Sequence, residues 1–279
     1  MTLSALVRID RASLLAATLV AAALNRLFVK MAESVVLNGW AGAFGALLGV
    51  SAVIWIALVV LVDIGGDGRG PPPQKLDWWL CGATFAACLL PTGWEAALAL
   101  LALSLASIVR FRAGSRERRL GIVGLALTGP LLFGALALSY LGPQMLRVDA
   151  VMVSLLSGLP GNGNVVEFAD AASSAGKQMV ILAGCSSFHN MSLVAVLFAV
   201  VTQLLNVRMT PALWGIAAAM ALVTFLINCA RITAIAMMPQ HYEVLHVGWA
   251  AQAIAFTSLL ITGALVVFGA LRTARAQHG

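Results

Sequence analysis

The chain has 279 residues, of which 61% are hydrophobic and only 10% charged, and its mean hydropathy is +0.96, which excludes an ordinary soluble domain. The net charge of +6 does not point to nucleic acid: no basic stripe interleaves with aromatics, and the arginines fall in short connections between apolar runs. A bilayer core needs roughly 20 residues at about 1.5 Å rise each, so the apolar runs predict an all-α integral membrane protein with about eight transmembrane helices.

Arg8, Asp10 and Arg11 precede the first apolar run, 13–28. It reads as a span rather than a cleaved leader, because further spans follow at once and no small-residue cleavage site leads into a soluble chain. A second span covers 37–62, and the Gly- and Pro-rich stretch 65–73 is a loop. The third span, 78–90, opens on Trp78 and Trp79, which suit the membrane interface. A turn at 91–94 leads to the fourth, 95–109; five arginines then fall within residues 110–119, ahead of the fifth span, 120–141.

Residues 142–184 form the longest segment outside the spans. Within it, turn chemistry at 158–164 precedes two short β-like runs, 165–168 and 177–182, which predict a small hairpin-like element. The last three spans are 185–205, 211–238 and 247–271. The chain therefore divides into N-terminal helices (1–141), an extracytoplasmic segment (142–184) and C-terminal helices (185–279). With 110–119 in the cytoplasm, alternation places 12 of the 17 Lys and Arg inside, as the positive-inside rule requires. Both termini are then cytoplasmic, and 142–184 faces the exterior of the cytoplasmic membrane.

Chemistry-bearing residues collect on that outer side. Cys81, Cys88 and Cys229 sit in apolar runs and read as small buried hydrophobes, whereas Cys185 has polar neighbours Ser186, Ser187, His189 and Asn190. Its place at a helix N-terminus predicts a stabilised thiolate, and the serines suit helix caps. Arg231 lies in an apolar run, where a guanidinium costs on the order of 3 kcal/mol and calls for an interior site or a partner such as Glu243. It could lower a thiol pKa or stabilise an oxyanion. Asn228, three residues earlier, shares its helix face. His246 opens the last span, with His241 in the loop before it.

The order Cys185-Ser186, Asn228-x-x-Arg231 and His246-Val-Gly248-Trp249, preceded by Gly161–Asn164 and Val165–Phe168, resembles the exosortase/archaeosortase family of membrane-embedded cysteine transpeptidases. The resemblance covers roughly 155–265. The chain departs from the family pattern where Ser187 replaces a glycine and His189 an arginine, and the spacing from His246 to Gly248 is shorter. The resemblance implies catalysis by Cys185, Arg231 and His246, supported by Asn228, His189 and Ser186, with His241 or His189 as alternatives for the third member. It further implies substrate proteins with a C-terminal sorting signal (a motif, a transmembrane helix and a basic tail), an envelope or surface acceptor, and no metal or organic cofactor. Two other readings use the same residues: a metal site of Cys185, His189, His241 and His246, and a transporter with Arg231 as an anion site.

Overall fold

A computed structural model of the chain describes residues 9–66, 69–90, 94–133, 136, 139–168, 177–182, 185–246 and 248–278. Arg8, most of the turn 91–94, Ala183-Gly184 beside Cys185, and Val247 lie outside the described residues. The chain folds as two compact units, one of residues 1–133, 196–208 and 274–279, the other of 134–195 and 209–273.

The first unit is built on α1 (Arg11–Gly45), α2 (Ala52–Gly65), α3 (Lys75–Cys88), α4 (Trp94–Arg110) and α5 (Arg116–Thr128). Asp10 caps α1 by accepting from the Ser13 N–H at 2.7 Å, and Ser115 caps α5 by accepting from the Arg118 N–H at 3.3 Å. The expected break between the first two spans is absent, and α1 runs through Asn25, Arg26 and Lys30 without interruption. Those polar groups have partners outside their own helix. Asn25 Nδ2 donates to the Cys88 carbonyl at 2.8 Å, and Arg26 donates to the Leu131 carbonyl at 3.2 Å while lying 5.1 Å over the Trp94 ring. The helix bends instead at Gly39, whose φ of 65° only glycine adopts without strain.

One end of this unit gathers charge. The fully buried Asp77 receives Arg11 Nε at 2.8 Å and lies 3.0 Å from Arg110 Nη1. Arg116 reaches Asp10 at 3.1 Å and donates to the Ile64 and Gly65 carbonyls at 2.8 Å each. Those carbonyls end α2, so the guanidinium satisfies acceptors that have no intrahelical donor.

The second unit contains α6 (Gly142–Ser157), a small sheet, the start of α7 (Ser187–Leu204), α8 (Pro211–Met237), the short α9 (Tyr242–His246) and most of α10 (Trp249–His278). The sheet has β1 (Gly161–Asn162), β2 (Val165–Phe168) and β3 (Lys177–Val180) in antiparallel order, with Val165 opposite Val180 and Glu167 opposite Gln178. The two β-like runs thus pair as the sequence predicts. Val166 and Ile181 turn inward onto Ala150 and Val153 of α6 and Ile232 and Ala236 of α8, and Cys185 packs against this core. Residues 142–157, for which the sequence predicts no element beyond a place outside the spans, are helical, because Leu146, Asp149, Ala150 and Val153 recur at helical spacing and bury one face.

Among the described residues, α1, α7, α8 and α10 are long and apolar enough to cross a membrane. The protein is therefore a largely helical, membrane-embedded chain. Helices α2 to α5, at 14, 14, 17 and 13 residues, fall short of the roughly 20 that a straight crossing needs. Exposed Val36, Leu37, Trp40 and Val109 are apolar side chains of the kind lipid solvates and water does not.

Candidate active site

Cys185 lies two residues before α7, at the mouth of the core shared by α6, β2, β3 and α8. Its N–H donates to the Leu182 carbonyl at 2.9 Å, which turns the chain out of β3 towards the helix. The thiol faces a histidine from a distant part of the sequence: Cys185 Sγ lies 3.7 Å from His246 Nδ1. His246 closes α9, and Tyr242, one turn earlier, stacks on its ring with centroids 4.8 Å apart. Gly248 follows at a tight reversal, its N–H donating to the Glu243 carbonyl at 2.8 Å. A Cβ there would come within 2.8 Å of Val244 Cα, so only glycine lets the chain turn this closely after His246.

Asn228 locks the other side of the cysteine. Its Nδ2 donates to the Cys185 carbonyl at 2.7 Å and to Ser187 Oγ at 3.0 Å. Its Oδ1 accepts from Asn190 Nδ2 at 3.1 Å. Asn228 thereby ties the Cys185 backbone to the start of α7. Ser186, fully buried, accepts from the Phe188 N–H at 3.2 Å and serves as the local cap.

Asp149 on α6 was not signalled as a site residue. It is fully buried, and its Oδ2 accepts from the Ser187 N–H at 3.1 Å. A carboxylate from another helix therefore occupies the N-terminus of α7. The available signal was a lone acidic residue on the apolar, helically spaced face of residues 146–153. Its effect on the cysteine opposes the thiolate expected from the sequence. Burial pushes the Cys185 thiol above its ordinary value, Arg231 pulls it back, and the Asp149 charge adds to the rise. The first helix N–H, which would have favoured a thiolate, belongs to Asp149.

Arg231 is close enough to influence the thiol, makes no ion pair with Glu243, and has a buried Nε without a hydrogen-bond partner among the described residues. An unsatisfied guanidinium nitrogen in a buried place is costly, and an arriving carbonyl oxygen would relieve it. His189 lies in the first turn of α7, where its carbonyl accepts from Ser192 Oγ at 2.6 Å. His241 is exposed, in a 3-10 turn ahead of α9. Among the described residues, no three His, Cys, Asp or Glu side chains are grouped to hold a metal ion.

No protein-family model, curated protein or solved structure matches this chain significantly. A half-buried thiol of raised pKa needs a base to act as a nucleophile. In the tautomer protonated at Nε2, His246 Nδ1 can accept that proton.

Proposed function

We propose that the protein is an exosortase-like cysteine peptidase or transpeptidase that cleaves the C-terminal sorting signal of membrane-anchored precursor proteins. The observation that carries this reading is the approach of Cys185 Sγ to His246 Nδ1 at 3.7 Å, with the unsatisfied Nε of Arg231 nearby. The order of the motifs, Cys185-Ser186, Asn228-x-x-Arg231 and His246-Val-Gly248, supports the family. Eight crossings, with helices α2 to α5 making short ones, and a site facing the exterior belong to the same proposal. The clustering of Asp10, Arg11, Asp77, Arg110 and Arg116 at one end of the first unit supports a cytoplasmic end there.

In the mechanism, the Cys185 thiol gives its proton to His246 as sulfur bonds to the scissile carbonyl carbon. The oxyanion that develops is stabilised by Arg231. When the carbon–nitrogen bond breaks, protonated His246 returns its proton to the leaving amine, and the precursor is held as a thioester. An amine or hydroxyl of an envelope acceptor, or water, attacks that thioester and loses its proton to His246. The thiolate released takes that proton back. Asn228 holds the Cys185 carbonyl throughout, so the nucleophile cannot swing away.

The test is co-expression of a tagged membrane protein bearing a candidate sorting signal with wild type, Cys185→Ala or Arg231→Ala. Mass spectrometry of the tagged protein should show loss of the tail with wild type alone, and the new terminus distinguishes hydrolysis from transfer. Removing an oxyanion donor costs about 10²–10³ in rate, so Arg231→Ala should leave a trace at most. Cleavage that persists undiminished in Cys185→Ala would overturn the mechanism.

A further inference from the structure

A second site lies on the outer face of α6. A cleft of about 210 Å³ opens between this helix and the β1–β2 turn, lined by Arg147, Val151, Ser154, Leu155, Asn162 and Gly163 among others. Arg147, Val151, Ser154 and Leu155 follow one another at helical spacing and share one stripe of α6. The opposite stripe, with Asp149 and Val153, is buried in the core, and Ala150, between the two stripes, floors the cleft. Helix α6 therefore has two apolar faces. The one turned outward exposes Val148, Val151 and Leu155 by 48%, 50% and 74%.

Among the described residues, Arg147 is the one charged side chain lining the cleft, and it makes no ion pair or hydrogen bond there. Polar groups of Ser154 and Asn162 stand beside it, while Val151 and Leu155 form an apolar wall that continues onto the exposed face of the helix. An unpaired guanidinium at one end of an apolar track, in a membrane-embedded chain, matches a ligand with an anionic head and a hydrocarbon tail. A free inorganic anion would use the guanidinium and leave the apolar wall bare.

We infer that the Arg147 cleft binds a net-anionic membrane phospholipid, its headgroup phosphate against the guanidinium and an acyl chain along Val151 and Leu155. Helix α6 then lies at the membrane interface, its outward face covered by lipid and its inward face holding the cysteine core. This site does not depend on the peptidase reading, since it concerns the opposite face of α6 from Asp149.

Native mass spectrometry of the purified full chain, delipidated in detergent, tests this with phosphatidylglycerol and phosphatidylcholine of equal chain length. Wild type should retain phosphatidylglycerol about fivefold better, the ratio for roughly 1 kcal/mol from one basic residue beside an anionic headgroup. Arg147→Gln should remove the preference, Arg147→Lys should keep most of it, and Leu155→Asn should weaken retention of both lipids. Equal retention by wild type, or a preference that survives Arg147→Gln in protein that still elutes as a single species, overturns the site. Displacement of the lipid by millimolar inorganic phosphate would also overturn it, reducing the cleft to a free-anion site.

Discussion

Asn228 offers the sharpest test of the architecture around the cysteine, because its contribution can be measured without a substrate. It is 4% exposed and makes three hydrogen bonds, to the Cys185 carbonyl at 2.7 Å, to Ser187 Oγ at 3.0 Å and from Asn190 Nδ2 at 3.1 Å. Asn228→Ala removes all three. At about 1 kcal/mol net for each, the segment 185–190 loses about 3 kcal/mol of local stability, or about a hundredfold in its opening equilibrium. The Cys185 and Ser187 N–H groups keep their own acceptors, the Leu182 carbonyl and the Asp149 carboxylate, so their exchange reports opening of the segment rather than loss of a direct bond. Hydrogen exchange followed by mass spectrometry, in detergent or nanodiscs, should show peptides spanning 185–190 exchanging about a hundredfold faster. Peptides from α1 and α4 should stay unchanged. If exchange at 185–190 rises by less than about threefold, the bonds from Asn228 do not hold the Cys185 segment in place.

Two further outcomes follow from the same geometry. The pH profile of Cys185 alkylation should have its midpoint above that of an unperturbed thiol, because burial favours the neutral form, and Arg231→Ala should move it higher still. A midpoint shifted down in wild type, or one unmoved in the variant, would contradict this account. Asp77→Ala removes the partner of both Arg11 and Arg110 and should destabilise the first unit by about 3 kcal/mol, the lower end for a broken buried pair since both arginines keep some access to solvent. Thermal unfolding in detergent should show a clear loss against wild type, and an unchanged midpoint would mean that the cluster is electrostatically idle.

The membrane class is a local property and was legible residue by residue. Long apolar runs cannot be dissolved otherwise, so α7, α8 and α10 follow from hydropathy alone. Val165–Phe168 and Lys177–Val180 were legible as strands for a similar reason, their β-like residues lying between turn signals. Asn228 and Arg231 could be singled out because polar groups in an apolar run demand partners, Cys185 because its neighbours are polar, and His246 because it opens the last span.

Which partners they take was decided only by tertiary structure. His246 brings a ring nitrogen to the thiol from the end of α9, beside the Gly248 turn and 61 residues along the chain from Cys185. Asp149 carries no motif, and its meaning arises only when α6 packs on α8 and puts its carboxylate on the Ser187 N–H. The continuity of α1 past Arg26 likewise depends on Leu131 and Trp94, residues it meets only after folding. Hydropathy and periodicity report how a segment solves its own solvation, whereas a buried charge or hydrogen bond is settled between segments, and no single stretch contains both halves.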